Sequence, residues 1–324
     1  MHESICVKTH QCASWLSAVF VILVWGVTFA STRALLLDFS PIEIQLGRFS
    51  LAWFVLTVCE LAQRERLHRA YTWRDEVLFA AMGFSGVAFY QLMENCAIYY
   101  TSASNVAILV SFGPIVTALL ARMLSSDRSL SPRLVCGSLI AVGGVALVSL
   151  NGMLGLHLHP LGDVMALAAI VSWGLYSVFV GKTNARGYPQ ITVIRKSFFW
   201  SLVFLAPLAI WGASEQGYYA MDGSFSVTLD AEINAERFVR PLNWLNLGFL
   251  GVLASAACFV LWNIACKSLG VVRTTIGLYL TPIVGVVFAG LFLDERPTVM
   301  SIFGGAAIIA GVAVANLRFR REVK

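Results

Sequence analysis

One stretch of this chain occurs twice. NCAIYYTSASNVAILVSFGPIVTALLARMLSSDR runs from Asn95 to Arg128. Shifted by 168 positions without a gap, NIACKSLGVVRTTIGLYLTPIVGVVFAGLFLDER runs from Asn263 to Arg296. Asn95 falls on Asn263, Pro114-Ile115-Val116 on Pro282-Ile283-Val284, and Asp127-Arg128 on Glu295-Arg296. A repeat at a fixed offset restricts the chain to architectures built from two copies of one unit. The preceding segments match too, at an offset of 148: Trp25-Gly26 falls on Trp173-Gly174, Pro41 on Pro189 and Arg48 on Lys196. The step from 148 to 168 puts 20 extra residues into the second copy, within the polar stretch from Ala213 to Pro241.

The repeated unit is made of membrane helices. The 324 residues are 58% hydrophobic and 13% charged, whereas a soluble domain is about 25% charged. A soluble core of this size would lack the polar residues to cover it. Apolar runs long enough to cross about 30 Å of hydrocarbon occur ten times, near 13–36, 42–61, 77–97, 102–124, 133–151, 161–182, 190–212, 243–266, 270–293 and 298–317. The first is not a signal peptide, because it is long and carries the Trp25-Gly26 that the second half copies. The seven cysteines are scattered with no CxxC and read as small buried hydrophobes. Cys6, His10 and Cys12 are close enough in sequence to hold a metal, but a frayed terminal tail is the preferred reading. No metal or cofactor is expected. The basic residues sit at helix ends, so the net charge of +5 does not point to nucleic acid.

Five helices per copy is an odd number, so the second copy must enter the membrane from the opposite side. The expected fold class is an all-α membrane protein whose ten transmembrane helices form two inverted five-helix repeats. The repeats cover residues 13–151 and 161–317, the second with an extended outer loop at 213–241. Connections as short as Tyr99 to Thr101 and Asp294 to Pro297 make neighbouring helices antiparallel hairpins. Sixteen Lys and Arg fall on the side of the N-terminus; only Arg237, Arg240 and Arg296 fall on the other. The excess of positive charge places both termini in the cytoplasm. The chain is then a multi-pass protein of the cell (inner) membrane, with the lipid bilayer as its surroundings.

A charge at mid-membrane costs on the order of 2.5–3.5 kcal/mol on insertion scales, so each needs a reason. Arg48 and Glu94 both fall in the outer third. They form either a structural ion pair between two helices or an outer gate whose carboxylate takes a proton. The repeat is broken here: the counterpart of Arg48 is Lys196, preceded by Arg195, but the counterpart of Glu94 is Trp262. The inner third thus holds two cations and no matching acid. They either bind the carboxylate of a solute entering from the cytoplasm or snorkel to the headgroups, the preferred reading for Arg195.

Trp25 and Trp173 either wall a central cavity or pack beside their glycines, which admit a neighbouring helix. Asn95 and Asn263 either hydrogen-bond between helices or touch substrate. Ser104, Asn105, Tyr176 and Tyr279 are weaker candidates of the same kind. Pro114 and Pro282 each remove a helix hydrogen bond, which suits either paired hinges or packing. Gly137/Gly143 and Gly305/Gly311 match at 168. They let the fifth and tenth helices approach other helices, or each other across a homodimer.

The WG of the first helix, the Arg of the second, the YTSASNVAIL entry to the fourth, its proline and the closing acid–Arg resemble the drug/metabolite transporter superfamily. The match is to its EamA-type permeases. The resemblance spans about Trp15 to Asn316, with the long outer loop and the Ser125-Ser126-Asp127 end as departures. It implies a ten-helix secondary transporter, commonly an exporter of amino acids, metabolites or drugs. The chain has no Walker GxxxxGK[ST], HExxH or GxSxG, which counts against direct ATP drive and hydrolysis. The expected function is export of small organic solutes by alternating access, with proton coupling through Glu94 as an option. The alternatives are a channel-like permease and, behind it, a membrane receptor or enzyme that uses the helices as a scaffold.

Overall fold

In lipid every backbone N–H and C=O must be satisfied within the segment, so an apolar run of this length has to be helical. The computed structural model describes residues 2–35, 37–63, 71–100, 103–124, 131–150, 160–214, 236–292 and 298–316. Among them are a short helical turn at 236–239, no strand and ten long helices. These are α1 (His2–Leu35), α2 (Pro41–Gln63), α3 (73–100), α4 (103–124), α5 (Pro132–Leu150), α6 (Pro160–Ala185), α7 (Gln190–Ser214), α8 (241–269), α9 (271–292) and α10 (Val299–Asn316). Nine of them are long and apolar enough to cross a membrane, and α1 carries a shorter apolar stretch, Cys12–Thr28. Asp127-Arg128, Glu295-Arg296 and residues 215–235 of the long connection lie outside the described residues, as do the side chains of Cys6, His10, Asn95 and Ser104.

The helix contacts are symmetric under exchange of the repeats. α1 packs on α8 and α9, and α6 packs on α3 and α4. α2 lies against α8 as α7 lies against α3, while α2–α7 and α5–α10 are pairs that map onto themselves. The WG glycines are the seats of this exchange. A Cβ on Gly26 would stand 2.5 Å from Val284 on α9; one on Gly174 would stand 2.7 Å from Leu120 and 3.4 Å from Val116 on α4. Val116 and Val284 both lie two residues past the repeated prolines. WG and PIV are therefore two sides of one cross-repeat contact.

The prolines break their helices in the same register. α4 interrupts between Ala103–Val110 and Gly113–Leu124. α9 passes through a 3-10 turn at Gly277–Leu280 before Thr281–Phe292. Neither the sequence pattern nor propensity announces a second pair of irregularities. α3 contains a π-helical turn at Phe84–Phe89 and α8 one at Phe249–Ala257; adding 168 to the first gives 252–257, inside the second. Such turns widen a helix by one residue and recur at functional sites. The α8–α9 corner is a single residue, Gly270, at φ +89°, a conformation that L side chains rarely adopt.

α5 and α10 approach each other through small residues within one chain. A Cβ on Gly137 would stand 2.5 Å from the Gly311 carbonyl, and one on Gly144 2.6 Å from that of Gly304. The expected pairs are half right. Gly143 meets nothing within 4 Å, and Gly305 only reaches Ile283 at 3.9 Å. Helical rotation puts Gly144 and Gly304 on the contact face in their place.

Candidate functional site

The two WG tryptophans meet where the repeats meet. Trp25 and Trp173 stand edge to face with ring centroids 6.1 Å apart, and Trp262 lies 5.2 Å from Trp25 and 6.5 Å from Trp173. Phe259 touches Trp25 at 5.5 Å, while Tyr90 and Tyr176 lie against Trp173 at 5.2 and 5.1 Å. Each such contact contributes about 0.5–1.5 kcal/mol beyond its buried area. Trp262 is 1% exposed and Trp173 7%, while Trp25 and Tyr90 are half-buried. Tyr90 and Phe259 were not singled out from the sequence, although each sits one helical turn before a residue that was, Glu94 and Asn263.

The polar groups of this centre are unequally satisfied. Trp25 donates its indole N–H to the Ala254 carbonyl at 2.9 Å, but the Trp173 Nε1 is buried without a partner. Asn263 donates from Nδ2 to the Tyr176 hydroxyl at 3.1 Å and to the Phe259 carbonyl at 2.8 Å, yet its Oδ1 accepts nothing. A buried unsatisfied group costs about 1–3 kcal/mol. One donor and one acceptor around Tyr176 thus have no partner among the described residues.

Arg48 and Glu94 are not a contact ion pair. Arg48, itself buried, donates from Nε to Ser255 Oγ at 3.0 Å and lies 5.3 Å over the Phe49 ring. Glu94 accepts from the Tyr90 hydroxyl at 3.0 Å. The two charges act on each other only through the field between them. Tyr279 is buried in a separate core with α4, α5 and α10, away from the tryptophans. Asn105 ties α4 to α6 through Asp163 at 2.5 Å.

The expectation of two unmatched cations at the α2–α3 end is overturned. Arg195 pairs with Glu60 and Lys196 with Glu76. The acids come from the end of α2 and the start of α3, not from the repeat counterpart of Glu94. Asp75 caps α3 through the Thr72 N–H at 2.9 Å and also takes Arg186 at 2.6 Å. Burial pushes the Tyr71 and Tyr188 phenols above their ordinary range, so both rings stay neutral beside these charges.

The α1–α2 end carries a matching set. Asp38 accepts from Arg240 at 2.9 Å and from Asn243 at 2.7 Å. Glu43 caps α2 through the Ser40 N–H at 2.8 Å and takes Arg237 at 3.0 Å. Asp38 and Arg186 are equivalent at the 148 offset, and Asn243 and Asp75 at 168. Equivalent positions therefore meet at both ends, Asp38 standing where the other end has Arg186 and the neutral Asn243 where it has Asp75, with Arg240 supplying the cation. Away from the centre, an apolar groove of about 610 Å³ opens beside the π turn of α3, between Phe84, Phe89, Val171 and Phe179.

The EamA-like transporter family model matches the chain twice, over residues 13–150 and 160–317. A protein of Streptantibioticus cattleyicolor named as a probable terminal-alkyne amino-acid exporter is 28% identical over 306 residues, covering 94% of each chain. A probable amino-acid metabolite efflux pump of Escherichia coli strain K12 is 24% identical over 310 residues, covering 95% of this chain and 96% of its own. A solved crystal structure superposes with a TM-score of 0.72 at 20% identity, covering 94% of this chain and 96% of the other. At that identity the likeness concerns the fold alone.

Proposed function

Because the chain belongs to the EamA-like transporter family, we propose that it exports amino-acid-like solutes by alternating access of its two repeats. Its class, a multi-pass membrane transporter of small solutes and not an enzyme, is that of its family and relatives. The substrate reading draws on the names of two relatives and on one observation in this chain. A basic and an acidic side chain, Arg48 and Glu94, are held apart beside an aromatic centre that has an unused donor and an unused acceptor. A zwitterion needs that set. Its carboxylate takes Arg48 and the Trp173 N–H, its ammonium takes Glu94 and the Asn263 oxygen, and its apolar part takes Trp25, Trp262 and Tyr176.

Tyr279 then belongs to the flank of this path, with Pro114 and Pro282 as the bends about which each repeat flexes. Lys196 stands at the α2–α3 mouth. The distribution of positive charge supports both termini in the cytoplasm of an inner-membrane protein, with the α2–α3 end facing in. A homodimer would have to use lipid-facing surfaces, since the glycine faces of α5 and α10 are taken within the chain. Proton coupling falls to Glu94.

The test is counterflow of a panel of neutral, cationic and anionic amino-acid-like solutes in proteoliposomes. A carrier shows saturable uptake accelerated by solute on the opposite side. Linear, unaccelerated flux would replace this reading with a channel.

A further inference from the structure

Lys196 sits where a bound amine would sit. Its ammonium lies 4.8 Å from the centroid of Tyr71 and 5.6 Å from that of Phe79. It pairs with one oxygen of Glu76, whose other oxygen accepts the Trp200 indole N–H at 3.2 Å. Tyr71, Phe79 and Tyr188 close a triangle of rings with centroids 5.6–5.7 Å apart. Aromatic faces around a carboxylate are the means by which proteins bind ammonium groups. A latch between α3 and α7 would need only the two charges.

We propose that this cage is a binding site for the ammonium group of an incoming solute, and that Lys196 is its tethered occupant, displaced when the solute binds. Three features carry this beyond an ion pair. The site is reachable, with the Glu76 side chain 34% exposed and that of Lys196 19%. The neighbouring cations are committed elsewhere, Arg186 to Asp75 and Arg195 to Glu60, so neither replaces Lys196 when it leaves. The exchange is one cation for one cation: the newcomer pairs with Glu76, and the lysine, on its flexible stem, swings to water or headgroups. Displacement also unfastens one link between α3 of the first repeat and α7 of the second, so loading and opening at this end become one event. The order of events rests on the export reading above; the binding does not.

The experiment uses the purified full-length protein in detergent and tetramethylammonium as probe, titrated by calorimetry, with sodium as the control cation. Were the cage free for a tenth of the time, Lys196→Ala would tighten tetramethylammonium about tenfold. Sodium should gain nothing. Lys196→Met, which keeps the apolar stem, serves the same purpose if the alanine variant unfolds. Placing Tyr71→Leu or Phe79→Leu in the same background should remove the gain. Unchanged or weaker binding in both lysine variants overturns the proposal. So does a gain that survives the leucine substitutions, since that would be attraction to a bare Glu76. A protein that binds tetramethylammonium as expected but moves no amino-acid-like solute would retire the export reading and leave the cage standing.

Discussion

Trp25 donates its indole N–H to the carbonyl of Ala254, and Trp173, its equivalent in the second repeat, has no acceptor among the described residues. The carbonyl equivalent to Ala254 is that of Gly86, in the π turn of α3. A bond that the repeat symmetry offers twice is thus made once. The two copies share the following glycine but not the preceding residue, Val24 in one and Ser172 in the other, and Ser172 donates to the Ser85 carbonyl beside Gly86.

The two tryptophans should therefore respond differently to the same change. Trp25→Phe loses ring volume and a made bond, and the bond should add about 0.5–1.5 kcal/mol to its cost. Trp173→Phe loses the same ring volume but no hydrogen bond, so it should destabilise less than Trp25→Phe by about that amount, while slowing solute flux. Thermal unfolding in detergent beside proteoliposome flux measures both. Equal destabilisation in the two variants would mean that the Trp173 N–H has a partner after all.

The two end latches make a second prediction. Asp75→Asn weakens the tie to Arg186 at the α2–α3 end, and Asp38→Asn weakens the tie to Arg240 and Asn243 at the α1–α2 end. Each end is then easier to open, so the two variants should shift access in opposite directions. A loss of one to two kcal/mol corresponds to a population change of about 5–30-fold. Labelling of single cysteines introduced near each end, with impermeant reagents applied to either side, reads the direction. A shift of the same sign in both variants would remove the latches from the transport cycle.

What the sequence pattern exposed and what it hid follow from one distinction. The apolar runs lead to ten helices and the repeat offsets to the paired breaks at Pro114 and Pro282, because each is local to a helix or copied between copies. The meeting of Trp25 with Trp173 joins distant helices and was legible in neither. The partners of Arg195 and Lys196 were not legible, since Glu60 and Glu76 lie on other helices and have no acidic counterparts in the second repeat. Symmetry searches find copies; an ion pair across repeats joins residues that are not copies. The π turns were hidden for another reason. Phe84–Phe89 and Phe249–Ala257 read as ordinary apolar helix, and one extra residue per turn leaves no compositional trace.

Glu94 provides the third prediction. Its carboxylate sits on α3 with the Tyr90 hydroxyl as donor, and Arg48 is near but not in contact. One charge crossing 100 mV is worth about 2.3 kcal/mol, enough to drive a modest solute gradient. Glu94→Gln keeps an acceptor for Tyr90 and should insert normally, but flux should lose its dependence on an imposed pH difference. Proteoliposomes with equal and unequal pH across the membrane decide the matter. An unchanged pH response would move the coupling to another group.

The last prediction separates two neighbouring glycines that composition cannot tell apart. A Cβ on Gly144 would stand 2.6 Å from the Gly304 carbonyl and 2.7 Å from the Ile308 nitrogen. Both are main-chain atoms of α10, so nothing flexible can give way. Gly144→Ala must then push α5 from α10 and should cost about 1–3 kcal/mol, as overpacking does. Gly143→Ala meets nothing within 4 Å and should be neutral, or gain up to about 1 kcal/mol from helix propensity. Unfolding midpoints of the two variants in the same detergent give the comparison. If Gly143→Ala proved the costlier, α5 would be turned by about 100° from the face described here, and the Gly137–Gly311 approach would have to be abandoned with it.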